Sequence, residues 1–320
     1  MKPVRLAVVG AGHMGRLHAA KIAALARETG EAALVAVADV DRARAEAVAA
    51  AEGVRAAADY RELLAAVDAA VVAVPTVAHG EVVAAALDAG LDVLVEKPIA
   101  ASLEEAEALL ARAAQRGVLL QVGHLEWFNA AMRTVAARVS KPRFFEGHRL
   151  GPFPARATDV DVVRDLMIHD IDIVQRLVGA EPERIDAIGV PVLTDKVDIA
   201  NARLTFPNGA VANLTASRVS PTPLRKLRFF QADGYFSIDF LEQAAVIAQR
   251  EAPSAGGERK IAVERLPIDR GDALAAQLAS FLRGIRERRI EAGDADQGLS
   301  ALRTALRVNA AMPPPETLLR

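Results

Sequence analysis

The hydrophobic pattern changes rhythm near residue 123. Before it, short apolar runs at residues 4–9, 33–38, 69–74, 92–95 and 119–122 alternate with stretches of helical period, and a weaker run lies near Arg55. Short runs without polar alternation predict strands buried on both faces, as in a parallel sheet. Helices are expected from the glycines after residue 9 to about Thr29, over 42–52, and after the capping boxes Asp59-Tyr60-Arg61-Glu62 and Ser102-Leu103-Glu104-Glu105. This alternation predicts an α/β doubly wound parallel sheet over residues 1–122.

Beyond that point a helix over 165–178 precedes strand-like segments at 184–192, 199–206, 210–219, 227–240 and 261–266. Helical patterns at 273–289 and 294–311 close the chain. Residues 123–320 are therefore expected to form one C-terminal α+β domain with a mostly antiparallel open sheet. Asn201, Arg203 and Thr205 alternate with apolar residues, as do Asn213, Thr215 and Ser217. A two-residue Asn208-Gly209 turn would set the polar residues of one strand opposite the apolar residues of the other. A three-residue loop, Pro207-Asn208-Gly209, puts both polar sets on one face, with Gly209 in the left-handed position. The longer loop is expected. A sheet with one polar face and no evident cover meets a ligand or a partner subunit, so a homodimer or homotetramer through this sheet is also expected.

Composition narrows the function classes. Of 320 residues, 52% are hydrophobic and 25% charged, which is globular and ample for a core. A net charge of −2 without blocks of like charge argues against nucleic acid as a partner. The absence of cysteine removes disulfides, thiol nucleophiles and thiolate metal sites. No apolar stretch reaches membrane length and the N-terminus lacks a signal-peptide layout, so a cytoplasmic protein is expected.

The first apolar run feeds Gly10-Ala11-Gly12-His13-Met14-Gly15, a G-x-G-x-x-G between strand and helix. The first glycine allows the tight turn, the second lets a pyrophosphate approach the backbone, and the third lets the helix lie close to the strand. Asp39 ends the next strand, where a carboxylate accepts hydrogen bonds from ribose hydroxyls and repels a 2′-phosphate. This favours NAD, while Arg42 keeps NADP open; the competing reading of Asp39 is a cap for the helix after it. Pro75, Thr76 and His79 follow the 69–74 run, and Glu96-Lys97-Pro98 follow the 92–95 run, all at the sheet edge where such folds bind ligands. Lysine is rare here: 7 of the 39 basic residues, the other 32 being arginine. Unlike arginine, lysine changes protonation state readily when buried, so Lys97 reads either as chemistry or as an ordinary surface residue ending a strand.

Asp165, His169 and Asp172 are spaced to share one face of a helix. A histidine between carboxylates suits proton transfer near neutrality; a solvated charged face is the plainer alternative. With a single histidine in the group, no metal is expected. Of the other histidines, His13 is expected against the cofactor, His79 near its nicotinamide end, His124 at the cleft border, and His18 in helix packing.

The order of these motifs resembles the Gfo/Idh/MocA oxidoreductase family over nearly the whole chain. The resemblance implies that Lys97, Asp165 and His169 line a substrate pocket beside the nicotinamide, with the Lys97–Pro98 bond often cis. Val122-Gly123-His124, Phe128-Asn129, the segment 149–153, the segment 159–162 and the segment 213–218 resemble a nucleotide-sugar branch that includes UDP-N-acetylglucosamine 3-dehydrogenases serving lipid A synthesis. Trp127 departs from the arginine usual in that branch. The implied function is oxidation of a sugar secondary alcohol to a ketone. His124, Asn129, Arg149 and Arg156 are added as substrate contacts, and Arg149, Arg156 and Arg218 as candidates for a diphosphate. A dehydrogenase of a free sugar or inositol, and a non-catalytic NAD(P)-sensing regulator, are the alternatives.

Overall fold

The computed structural model describes residues 2–153, 160–251, 260–289 and 294–314. Short apolar strands joined by helices build the first sheet: β1 (Val4–Val9), β2 (Ala32–Ala38), β3 (Arg55–Ala57), β4 (Ala69–Val72), β5 (Asp92–Glu96) and β6 (Leu120–Gly123). All pair in parallel, in the order β3-β2-β1-β4-β5-β6. The order reverses between β1 and β4, which opens a crevice at their carboxyl ends. The crossovers are α1 (His13–Thr29), α2 (Arg42–Glu52), α3 (His79–Asp88) and α4 (Leu103–Arg116). Ser102 caps α4 as its capping box predicts, accepting from Glu105 N. The short helix expected after the box at Asp59 is a single 3-10 turn, Tyr60–Leu63, capped by Asp59 accepting from Arg61 N, while Glu62 pairs with Arg55 at 2.6 Å.

The chain divides into two units, Met1–Leu125 with Asp272–Leu299, and Glu126–Gly271 with Ser300–Arg320. The expected boundary at residue 122 misses this return. It occurs because α7 (Ala273–Glu287) carries an apolar stripe, Leu278, Phe281 and Leu282, that joins Leu6, Val8, Ile22 and Leu94 in the first core.

The second unit is built on β7 (Phe144–Leu150), β8 (Arg184–Val190), β9 (Ile199–Thr205), β10 (Val211–Ser217), β11 (Leu224–Gln231), β12 (Gly234–Asp239), β13 (Ala244–Arg250) and β14 (Ile261–Arg265). Their order is β14-β13-β12-β11-β7-β10-β9-β8, antiparallel except for β7 beside β10. Phe145, Leu214, Leu227, Phe229 and Phe236 form a core with residues of α5 (Ala130–Ala136), α6 (Ile168–Val178) and α8 (Ala295–Ala310). The run 227–240 is two strands rather than one, turning at Ala232-Asp233 before Gly234. The helix expected from residue 165 begins as a π-helical turn, Val163–Met167, before α6.

The β9–β10 loop is the three-residue form. Phe206 N donates to Ala210 O and Gly209 has φ +78°. Asn201 consequently faces Thr215 and Arg203 faces Asn213, and each pair shares a hydrogen bond. Beneath this hairpin Arg218 is 1% exposed and donates from Nε to Asp198 at 2.8 Å and from Nη1 to Val160 O. Arg218 is therefore consumed inside the fold and is not a diphosphate contact. Asp198 also accepts from the backbone N–H groups of Val192, Leu193 and Thr194. Burial pushes its carboxyl up, but those donors and Arg218 outweigh it and hold it well below the usual carboxylate range.

Two outcomes follow for stability, both measurable by urea unfolding. Gly209→Ala forces an L side chain into the left-handed region and costs about 1–2 kcal/mol. Arg218→Met strands a buried carboxylate and costs about 3–5 kcal/mol at neutral pH. Because the folded Asp198 value is depressed, its stabilisation is present above the ordinary value near 4 and lost on acidification. The gap between Arg218→Met and the parent chain therefore narrows as pH falls.

Candidate active site

The glycine loop shows which constraints are internal and which await a ligand. Gly10 has φ +97°, and a Cβ there would overlap the carbonyl oxygen of Ala73 just beyond β4. A Cβ on Gly15 would overlap the Gly10 carbonyl oxygen. The protein itself thus requires the first and third glycines. A Cβ on Gly12 would meet nothing within 4 Å, so its smallness serves something the chain does not supply. No side chain caps α1 at this point. An open cradle at a helix N-terminus fits a dinucleotide pyrophosphate. His13 is exposed and Met14 half-buried in the first turn beside it.

Asp39 is held facing this loop. One carboxylate oxygen accepts from Ala11 N at 2.7 Å and the other from Asp41 N at 2.8 Å. The cap of α2 is Asp41, which accepts from Arg44 N, so the helix-cap reading of Asp39 falls. Arg42 is exposed and paired with Glu46 at 2.8 Å. Arg44, absent from the sequence reading, is the arginine nearer the carboxylate, with Nη1 3.8 Å from Asp39 Oδ2. The first turn of a helix points Arg42 outward, and two more residues bring Arg44 around, a rotation that spacing from Asp39 alone does not show.

At the neighbouring strand ends Pro75 is exposed and Thr76 is buried. His79 is buried, with Nδ1 2.8 Å from Pro98 O and Nε2 3.0 Å from Val74 O. Its ring braces two loops, and burial pushes it below the usual histidine range. Glu96 also turns inward, with Oε1 2.8 Å from His18 Nε2. Lys97 is half-buried and follows it through a cis bond to Pro98. The edge therefore gathers the glycine loop, Asp39, Thr76 and Lys97 within one unit, with His79 and Glu96 as supports.

In the second unit, Asp165 lies in the π-helical turn and His169 in the first turn of α6, both half-buried. Asp161 anchors the turn by accepting from Val163 N and Arg164 N, each at 3.0 Å. The wider π turn alters the spacing that an uninterrupted α-helix assumes. Asp172 leaves the expected shared face: it is buried and accepts from Arg176 Nε at 2.9 Å, while the Arg176 guanidinium lies over Trp127.

Arg149 is 2% exposed. Its Nε and Nη2 grip Asp170 at 3.0 and 2.8 Å, and Nη1 meets Glu126 at 2.5 Å. Burial opposes its charge, but the two carboxylates outweigh burial and hold the guanidinium charged. Buried and bound to two carboxylates, Arg149 turns its fork inward, away from any diphosphate at the surface, and supports the helix of His169. Asn129 caps α5 through Ala131 N and donates to Phe240 O, which accounts for it as structure and removes it as a substrate contact. His124 is buried just after β6. Arg156 lies outside the described residues.

Among the described residues no group of three or more His, Asp or Glu side chains is arranged to hold a metal ion, and no helix is long and apolar enough to cross a membrane. Residues 4–124 match the family described as "Oxidoreductase family, NAD-binding Rossmann fold", and residues 131–237 match the GFO/IDH/MocA C-terminal domain. The chain is 40% identical over 310 residues to a UDP-N-acetylglucosamine 3-dehydrogenase of Acidithiobacillus ferrooxidans, covering 97% of each. A solved structure of that enzyme superposes with a TM-score of 0.91 over 100% of both chains. A scyllo-inositol 2-dehydrogenase (NAD(+)) of Bacillus subtilis is 33% identical over 237 residues, 68% of each chain. Levoglucosan dehydrogenase in complex with NADH and levoglucosan shares the fold at 17% identity, with a TM-score of 0.86 over 97% of each chain. A phosphate cradle on a doubly wound sheet, followed by this second sheet, is what those matches describe: the chain belongs to the Gfo/Idh/MocA family of NAD-binding oxidoreductases.

Proposed function

We propose that the protein oxidises the C3 hydroxyl of UDP-N-acetylglucosamine to a ketone with NAD, supplying a keto-sugar for amino-sugar and lipid A synthesis in the cytoplasm. The observation that carries this reading is 40% identity over 97% of both chains to an enzyme of that activity. Bound NAD supplies the hydride acceptor at its nicotinamide ring. Gly10, Gly12 and the start of α1 hold its pyrophosphate, and Asp39 its adenosine ribose. His169 takes the proton of the reacting hydroxyl. Lys97 donates a hydrogen bond to the same oxygen and stabilises its developing negative charge, or carries the proton itself. Asp165 orients His169 or a neighbouring hydroxyl. A free inositol or sugar is the second reading, supported by the 33% identity to the inositol enzyme over 68% of the chain. A homodimer or homotetramer through the polar face of the second sheet completes the proposal.

The deciding assay is NADH formation with UDP-N-acetylglucosamine against inositols and free sugars. The nucleotide sugar is expected to give the largest kcat/KM; turnover of inositol alone replaces the first reading with the second. Lys97→Ala is expected to lower kcat by about 10²–10⁴-fold, the range for a proton-transfer group, with NAD affinity kept within a few fold. Near-parental kcat would remove Lys97 from the reaction. Asp39→Ser is expected to lower the ratio of kcat/KM for NAD over NADP by about tenfold or more, through loss of the ribose hydrogen bonds and of the charge that repels a 2′-phosphate.

A further inference from the structure

His18 was expected to be a packing residue. It is fully buried, yet it faces a charge: its Nε2 lies 2.8 Å from Glu96 Oε1. A carboxylate has no proton to give, so Nε2 carries the hydrogen and donates. Glu96 is confined from two further directions. A Cβ on Gly123 would stand 3.0 Å from Glu96 Oε2 and 3.1 Å from its Cα, so a side chain there would press on the carboxylate and its backbone. Lys97 supplies the third constraint through its backbone N–H and its charge.

We propose that His18 and Glu96 are positioning residues for Lys97: the His18 hydrogen bond keeps Glu96 ionised and aimed at the Lys97 peptide, so the lysine is presented in one orientation at the sheet edge. The inference rests on Lys97 acting in the reaction proposed above. Burial pushes the Glu96 carboxyl up, and the hydrogen bond and charge of His18, with those of Lys97, outweigh burial and hold it below the usual range. The titratable groups facing the carboxylate are His18 from α1, His79 from α3 and Lys97 beyond β5, with His124 following Gly123 on β6. His79 braces Pro98 O on the other side of Lys97, so the lysine sits between two buried supports.

Full-length protein with NAD tests this through pH. Without His18 the burial of Glu96 is offset by Lys97 alone, so its protonation moves to higher pH. His18→Phe is expected to retain kcat near pH 9 within about threefold and to lose it on acidification at a pH about one unit or more above the parent's acid limb, with the loss already measurable at pH 6. Glu96→Gln is expected to lower kcat at both pH values without that limb, KM for the sugar changing less than kcat. The double variant should equal Glu96→Gln alone, since both act through one carboxylate. His18→Gln, which keeps an N–H donor, should move the limb back toward the parent. A pH-independent loss in His18→Phe, or parental kcat in Glu96→Gln, overturns the proposal; the latter decides it if His18→Phe does not fold. Infrared titration of the carboxyl band missing in Glu96→Gln needs no turnover. It should show protonation at higher pH in His18→Gln and higher still in His18→Phe, and an unmoved band overturns the proposal. Failure of the functional reading is seen separately, as absent UDP-N-acetylglucosamine turnover by the parent chain.

Discussion

The close approach of Gly15 to the Gly10 carbonyl sets the geometry of the ligand-facing edge. With no side chain between them, the first turn of α1 lies directly on the end of β1. The same face of α1 then carries His18, Ala19 and Ile22 into the interior, and His18 reaches Glu96 at the end of β5. A larger residue at position 15 would lift the helix, opening the phosphate cradle and separating His18 from Glu96 together. The loop that binds a dinucleotide and the strand that presents Lys97 are thus supported by one helix. In an NAD-dependent dehydrogenase those two places must be in register for hydride and proton to leave one carbon and its oxygen.

The second unit depends on a different device. Arginine is abundant in this chain, and an arginine is readily assigned to a phosphate. Inside the fold, however, its fork also matches a carboxylate, and the interior uses it that way. Arg149 with Asp170 and Glu126 ties β7 to α6 and to the turn before α5, Arg218 with Asp198 joins the ends of the β9–β10 hairpin, and Arg176 with Asp172 is an i,i+4 pair within α6. Such pairs contribute less net stability than their contacts suggest, because both charges are desolvated. They fix orientation, since a buried charge has few geometries in which its partner can satisfy it.

This explains which parts of the site were legible in the sequence. The glycine loop, Asp39 and Lys97 could be placed at the sheet edge because each follows a strand, and strand ends are marked by where an apolar run stops. The β9–β10 register was legible because the polar residues of both strands had to share one face. Arg149 and Asn129 were misread because nothing local distinguishes an arginine facing solvent from one folded back onto a carboxylate 21 residues away. The run 227–240 alternates through its turn with only Asp233-Gly234 to break it, so one long strand and a hairpin look alike. The return of α7 to the first unit depends on which apolar surface its stripe covers, and periodicity identifies a stripe without identifying its counterpart.

Lys97 and His169 share a local arrangement although one follows a strand and the other opens a helix. Each is half-buried and adjoins a carboxylate that turns into the interior: Glu96 toward His18, and Asp170 toward Arg149. Backbone geometry makes this possible in both cases. Successive side chains diverge by about 180° on a strand and about 100° on a helix, so an inward anchor leaves its neighbour free to point elsewhere. A residue that must exchange protons cannot itself be locked into a buried ion pair without losing that ability. Placing the lock one residue away restrains the backbone beside Lys97 and beside His169. Glu96 and Asp170 are therefore better understood as anchors of position, one beside Lys97 and the other beside His169.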